Sequence, residues 1–295
     1  MSTIKELPRE DFPPQLLELP QAPKQLRYRG APPPKEAIYL TVIGSRKYTS
    51  YGKAVCQEIL KGLEGSNIII VSGLALGIDA IAHTAALDAG LMTLAMPGSG
   101  LGSSVLYPRT NVLLAQRIIQ AGGTLLSEYD DDMRAAIHTF PRRNRLMAGI
   151  AHGTLIIEAK ERSGTLITAR LATEYNKDVF TVPGSILSEG SEGPHRLIKM
   201  GAIPVTSGAD ILEHWGLKLK TIDETLLKEC GDKERELLEY LSEPLSRERL
   251  VEKSGISLSE LNTLLSVLEI KGLIQETMGE IRSMGSTPSQ GTLKL

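Results

Sequence analysis

From Ile38 to Val205 the sequence repeats one alternation, and that alternation constrains the fold more than any other feature. Short apolar runs recur at Ile38–Ile43, Ile68–Val71, Met92–Met96, Thr124–Leu126, Thr154–Glu158, Val179–Val182 and Ile203–Val205. Helical spacing follows each of them, near residues 50–63, 78–89, 110–121, 142–151, 165–176, 194–200 and 208–215. Strands that are apolar along their whole length are buried on both faces, as in a parallel sheet covered by helices. Residues 37–216 are therefore expected to form a doubly wound α/β domain.

Small and polar residues punctuate the ends of these runs. Gly44-Ser45-Arg46, Ser72-Gly73-Leu74, Pro97-Gly98-Ser99-Gly100, Ser127-Glu128 and Pro183-Gly184-Ser185 all follow strands, and Arg162-Ser163-Gly164-Thr165 opens a helix. Ligands of open parallel sheets bind at the carboxyl ends of the strands. Glycine-bearing loops gathered there are expected to offer backbone N–H groups to an anion.

The densest recognition chemistry is Phe140-Pro141-Arg142-Arg143-Asn144-Arg145. Pro141 suits the first position of the helix that continues through Leu146-Met147-Ala148-Gly149-Ile150. A helix N-terminus attracts anions, and fixed arginines add to that attraction, so phosphate is the first ligand to consider. The competing reading is a solvated basic helix end.

Net charge is −2, so a nucleic-acid site must be a local patch. Such a patch exists. From Arg134 to Arg170 six arginines and one lysine face only Glu158 and Glu161, with Phe140 among them. Cations that follow a backbone and an aromatic that stacks on a base are the pattern of single-stranded nucleic-acid binding.

The flanks have other grammars. Residues 1–36 carry Pro13-Pro14, Pro20, Pro23 and Pro32-Pro33-Pro34, which argues against a regular helix or central strand there. Residues 217–231 are expected to be a linker. Over 232–283 the order is helix, helix, turn at Gly255-Ile256, helix from Ser257, then a hairpin around Gly279, the order of a winged helix-turn-helix. Eleven acidic and seven basic residues between Asp232 and Arg282 suit protein contact or regulation better than entry into a DNA groove. Residues 284–295 are expected to be a disordered tail. No apolar run approaches a membrane span or forms a signal peptide, so a cytoplasmic protein is expected. Cys56 and Cys230 lack partners at metal-ligand or disulfide spacing, so no metal is expected.

Several enzymatic readings find no support. Gly44-Ser45-Arg46 lacks the full dinucleotide fingerprint, Gly52-Lys53 lacks the rest of a P-loop, and no G-x-S-x-G elbow occurs. Arg46 is either a phosphate ligand or a salt-bridge former. Asp79 and His83, at i and i+4, are either an acid/base pair or a structural hydrogen bond orienting their helix. Glu158 is either a catalytic carboxylate or a cap for neighbouring N–H groups.

These stretches together resemble the DNA-processing protein A (DprA/Smf) family over nearly the whole length. The matching residues are Val42–Arg46, Val71–Ala75 with Gly77-Ile78-Asp79 and Ala82-His83, Tyr107-Pro108, Leu126–Tyr129, Phe140–Arg145, Glu158-Ala159, Ser163–Ala169, Val182-Pro183-Gly184, and Arg196-Leu197-Ile198 before Gly201-Ala202. The resemblance implies a Rossmann-like core with a small winged-helix domain. It also implies a cytoplasmic, non-catalytic, cofactor-free homodimer that binds single-stranded DNA and loads RecA during natural transformation. Ser45, Arg46, Gly73, Leu74, Asn144, Arg145, Ser163, Gly164 and Thr165 would line the phosphate pocket. Phe140, Arg142 and Arg143 would meet bases and backbone, and His195, Ile198 and Ile203 would lie at the dimer interface. The alternative is a nucleotide-processing phosphoribohydrolase of the lysine-decarboxylase-like group, whose P-G-G-x-G-T signature is only partly echoed by Pro97-Gly98-Ser99-Gly100. Three positions depart from the family pattern: Leu76, where many relatives carry a basic residue, and Pro194 and Pro204 beside the dimer segment.

Overall fold

The computed structural model describes residues 3–217, 230–241, 245–271, 273–277 and 280–283. The chain divides into two compact units, Met1–Gly216 and Leu217–Leu295.

The first unit is built on a sheet of nine strands. Seven coincide with the apolar runs: β3 (Ile38–Ile43), β4 (Ile68–Ser72), β5 (Thr93–Ala95), β6 (Thr124–Ser127), β7 (Gly153–Ile156), β8 (Asp178–Thr181) and β9 (Ile203–Pro204). All pair in parallel, in the order β6-β5-β4-β3-β7-β8-β9. Helices connect them: α2 (Ser50–Lys61), α3 (Ile78–Asp88), α4 (Val112–Gln120), α5 (Thr139–Ile150), α6 (Gly164–Glu174), α7 (Glu192–Lys199) and, after β9, α8 (Gly208–His214). The central strands are buried throughout, as an apolar run enclosed between helical layers must be. The chain steps outward from β3 to β6 and then returns beside β3 as β7, so the switch point lies between β3 and β7. The mostly parallel, doubly wound α/β architecture follows directly from the repeated alternation.

The proline-rich start is more ordered than its composition suggests. Leu26–Gly30 forms β2, which pairs antiparallel with β6 on one side and with β1 (Lys5–Leu7) on the other. Prolines stop a strand only where they stand, and the window from Lys24 to Ala31 is free of them. Pro14–Leu17 adds a short helix, α1, whose proline occupies the N-terminal turn. Phe12, Leu16 and Leu19 enter the same core cluster as Leu146, Met147 and Ile150 of α5.

The second unit contains α9 (Asp232–Tyr240), β10 (Leu245–Ser246), α10 (Arg247–Ser254), α11 (Leu258–Ile270), β11 (Ile274–Thr277) and β12 (Glu280–Ser283). Its strands are antiparallel in the order β10-β12-β11. Ser246 and Ser257 cap the two helices, and Gly255 takes the left-handed turn between them at φ 68°. Leu237, Leu250, Leu261, Leu265, Leu268 and Ile281 form the core of this winged-helix unit. Gly279, the tail 284–295 and most of the expected linker lie outside the described residues.

Candidate nucleic-acid interface

A cavity of about 520 Å³ opens at the switch point. Ser45, Arg46 and Lys47 reach it from the loop after β3, Phe140, Arg143 and Asn144 from α5, and Ser163, Gly164 and Thr165 from the start of α6. The loop after β3 and the start of α6 meet because the carboxyl ends of β3 and β7 are neighbours, and Thr139 and Arg143 tie the start of α5 to Gly98 O and Met96 O after β5.

Each segment is fixed by local chemistry. Ser45 folds its loop by accepting from Lys47 N at 3.1 Å and donating to Lys47 O at 2.8 Å. Ser163 caps α6, accepting from Thr165 N at 3.2 Å, and Thr165 Oγ1 donates to Gly44 O at 3.2 Å. That bond joins the β3 loop to α6. Gly164 opens onto solvent, with nothing within 4 Å of where a Cβ would lie, so an anion can approach its backbone closely.

Helix α5 begins at Thr139, two residues before the expected start, and Pro141 is its third residue. The first four helical N–H groups have no intrahelical partner, so the proline is still harmless there. Phe140 sits in a space that Gly98 leaves, since a Cβ on Gly98 would lie 2.6 Å from the ring. The guanidinium of Arg46 lies over the same ring, 5.5 Å from its centroid, and exposed Tyr107 packs beside it at 5.9 Å. Tyr107 was visible only as part of a family motif, without a role. Its contribution depends on the segment between β5 and α4 meeting the first turn of α5, which no local pattern encodes.

The expected site residues are not all brought together. Leu74 is buried in an apolar cluster, and its carbonyl accepts from Asn111 Nδ2 at 2.9 Å. The N–H group of Gly73, expected to face an anion, donates to Asp79 Oδ2 at 3.1 Å, and that of Ala75 donates to the same oxygen at 3.4 Å. The loop after β4 thus has its own internal carboxylate. Burial pushes the Asp79 carboxyl up, while Arg143 and these N–H groups pull it back. Arg143 is itself buried, donates to Met96 O and packs against Gly73, where any Cβ would collide with it. Arg142 and Arg145 lie on another face of α5, and Arg145 forms a buried ion pair with Glu128. Burial raises the Glu128 carboxyl, opposed by Arg145 and Arg142.

The remaining ambiguities resolve toward structure. Asp79 and His83 make no bond to each other, because His83 turns toward β5, with Nδ1 2.7 Å from Thr93 Oγ1. Thr93 Oγ1 also lies 2.8 Å from Ile70 O, so the hydroxyl links the ring to the strand β4 carbonyl. Burial drops the imidazole to about 3, which keeps it neutral. Glu158 accepts from Thr49 N at 3.0 Å and from the Thr49 hydroxyl, and Thr49 in turn caps α2. It is a buried cap for neighbouring N–H groups. His195, Ile198 and Ile203 lie apart from the cavity, in α7 and the edge strand β9, with His195 Nε2 3.1 Å from Gly184 O.

The same chain carries recognisable relatives. Residues 4–216 match the model of the DNA recombination-mediator protein A family, and residues 224–280 match the DprA winged helix domain. Protein Smf of Escherichia coli is 42% identical over 70% of this chain, a stretch that spans 56% of the Smf length. The crystallographic DNA processing protein A of Streptococcus pneumoniae superposes with a TM-score of 0.67 at 40% identity, covering 72% of this chain and 74% of that one. DNA processing protein A of Helicobacter pylori, studied for its single-stranded DNA binding mode, gives 0.62 at 28% identity, covering 78% of this chain and all of the other. On the residues matched and the architecture shared, the chain belongs to the DNA recombination-mediator protein A family, known also as DprA/Smf.

Proposed function

We propose that this protein binds single-stranded DNA in the switch-point cavity and hands it to RecA during natural transformation. The observation that carries the reading is the placement of Arg46 over Phe140 at the mouth of a cavity lined by exposed cations. A phosphate binds the cation and the N-terminus of α6, while a base stacks on the ring. The DNA-binding character described for the Helicobacter pylori relative supports it. Asp79, which lines the cavity, and buried Glu158 are engaged by backbone or threonine donors, which favours binding over phosphoribohydrolase chemistry.

The reading extends to a cytoplasmic homodimer. Among the described residues no helix is long and apolar enough to cross a membrane. The apolar groove lined by Leu166, Ile167, Leu197 and well-exposed Met200, next to Ile198 and the edge strand carrying Ile203, suits contact with a second copy. In the winged-helix unit Lys233, Arg247 and Lys271 are paired with Glu260, Glu276 and Glu234, which favours a protein partner over duplex DNA. Anisotropy titration of labelled oligo-dT tests the reading. Arg46→Ala is expected to weaken binding, and parental affinity in that variant across a salt series would refute it.

A further inference from the structure

Two different faces of helix α5 border separate cavities. Phe140, Arg143, Asn144 and Met147, at i, i+3, i+4 and i+7, line the switch-point cavity. Arg142 and Arg145, at i and i+3 on another side, line a separate groove of about 630 Å³. The opposite wall of that groove is the segment from Pro20 to Gln25, with Lys24 and Gln25 on it. Gln25 Nε2 donates to Glu128 O at 3.4 Å, which holds this wall against the end of β6.

The charge of the groove is uneven. Arg145 and Glu128 are paired and about nine-tenths buried, so they largely cancel. Lys24 and Arg142 are exposed, and neither takes part in an ion pair among the described residues. Two exposed cations without an ion pair of their own therefore line a channel that starts one residue from Pro141, which borders the first cavity.

The geometry points to a second phosphodiester channel, in which Lys24 and Arg142 hold the backbone of a nucleic-acid strand after it crosses the first turn of α5. This rests on the single-stranded DNA reading of the switch-point cavity and adds a direction to it. The strand bends over Pro141 and continues between α5 and the N-terminal segment. The proline-rich start thereby becomes part of the binding surface.

Oligonucleotide length separates this channel from the cavity. The full-length protein, the double variant Lys24→Ala/Arg142→Ala and Arg46→Ala are compared on dT of about 5 and about 16 nucleotides, near the two ends of the site-size range of single-strand binders. The double variant is expected to bind the short oligomer like the parent. On the long one it should lose about tenfold at moderate salt, with a salt slope shallower by about 1.4, since each phosphate contact contributes roughly 0.7. Equal loss on both lengths, or no loss on either, would overturn the channel. Parental behaviour of Arg46→Ala on both lengths would overturn the cavity reading instead. Both substituted residues are exposed, and matching thermal melts confirm that the variant is folded.

Discussion

The guanidinium of Arg46 rests over the ring of Phe140 at 5.5 Å, although 94 positions separate the two residues in the chain. The loop after β3 supplies the cation and the first turn of α5 supplies the ring. Their contact places a phosphate ligand and a stacking surface at adjoining points of one cavity, the combination that single-stranded nucleic acid requires.

Removing either partner should give a distinguishable loss. Phe140→Ala is expected to weaken oligo-dT binding by about 1–3 kcal/mol per base stacked, with its salt slope intact. Arg46→Ala should lower the slope by about 0.7 as well as the affinity. Anisotropy titrations at four or more salt concentrations separate the two effects.

Two glycines should differ in what their substitution does to stability. Gly73→Ala drives a Cβ into Arg143 and Asp79, so it should cost about 1–3 kcal/mol of stability and weaken binding. Gly164→Ala meets open space. It should stay within about 0.5 kcal/mol in urea unfolding and still weaken binding, because the methyl group obstructs the approach to the helix N-terminus.

Glu158→Gln tests whether this carboxylate is a cap. Losing one acceptor for Thr49 should destabilise the protein by about 1–3 kcal/mol, read by urea unfolding. Affinity for oligo-dT below the unfolding transition should be unchanged. A parental melting curve with abolished binding would place Glu158 in the ligand site instead.

His83 gives the fold an acid sensitivity. Its folded pKa of about 3 lies below the ordinary value of 6.5, so the unfolded chain takes up a proton first as pH falls. This contribution is complete above about pH 6.5 and is lost progressively toward pH 3, with a slope of up to about 1.4 kcal/mol per pH unit. Urea midpoints from pH 7 to pH 4 should fall for the parent more steeply than for His83→Gln.

The seven parallel strands and the helices between them were legible because burial on both faces leaves a continuous apolar run. Strand β2 was not, since Leu26–Gly30 is short, carries two arginines and is flanked by prolines that dominate the local composition. The hexapeptide announced a basic helix start, yet its spacing already divides Phe140, Arg143 and Asn144 from Arg142 and Arg145. Only the packing of α5 against Glu128 and the N-terminal segment reveals which face meets which groove. The carboxylate that takes the N–H groups after β4 was equally hidden. An Asp one helical turn before a His signals a pair, whereas the fold sends Asp79 to its own loop and His83 to Thr93.

The central claim is that the switch-point cavity holds a single strand through phosphate contacts and base stacking. Salt-titrated anisotropy with matched single-stranded and duplex oligonucleotides, on the full-length protein and Phe140→Ala, tests it most directly. The parent is expected to prefer the single strand, and Phe140→Ala should lose most of that preference. Equal affinity for both forms, or a preference that survives the loss of Phe140, would contradict the account.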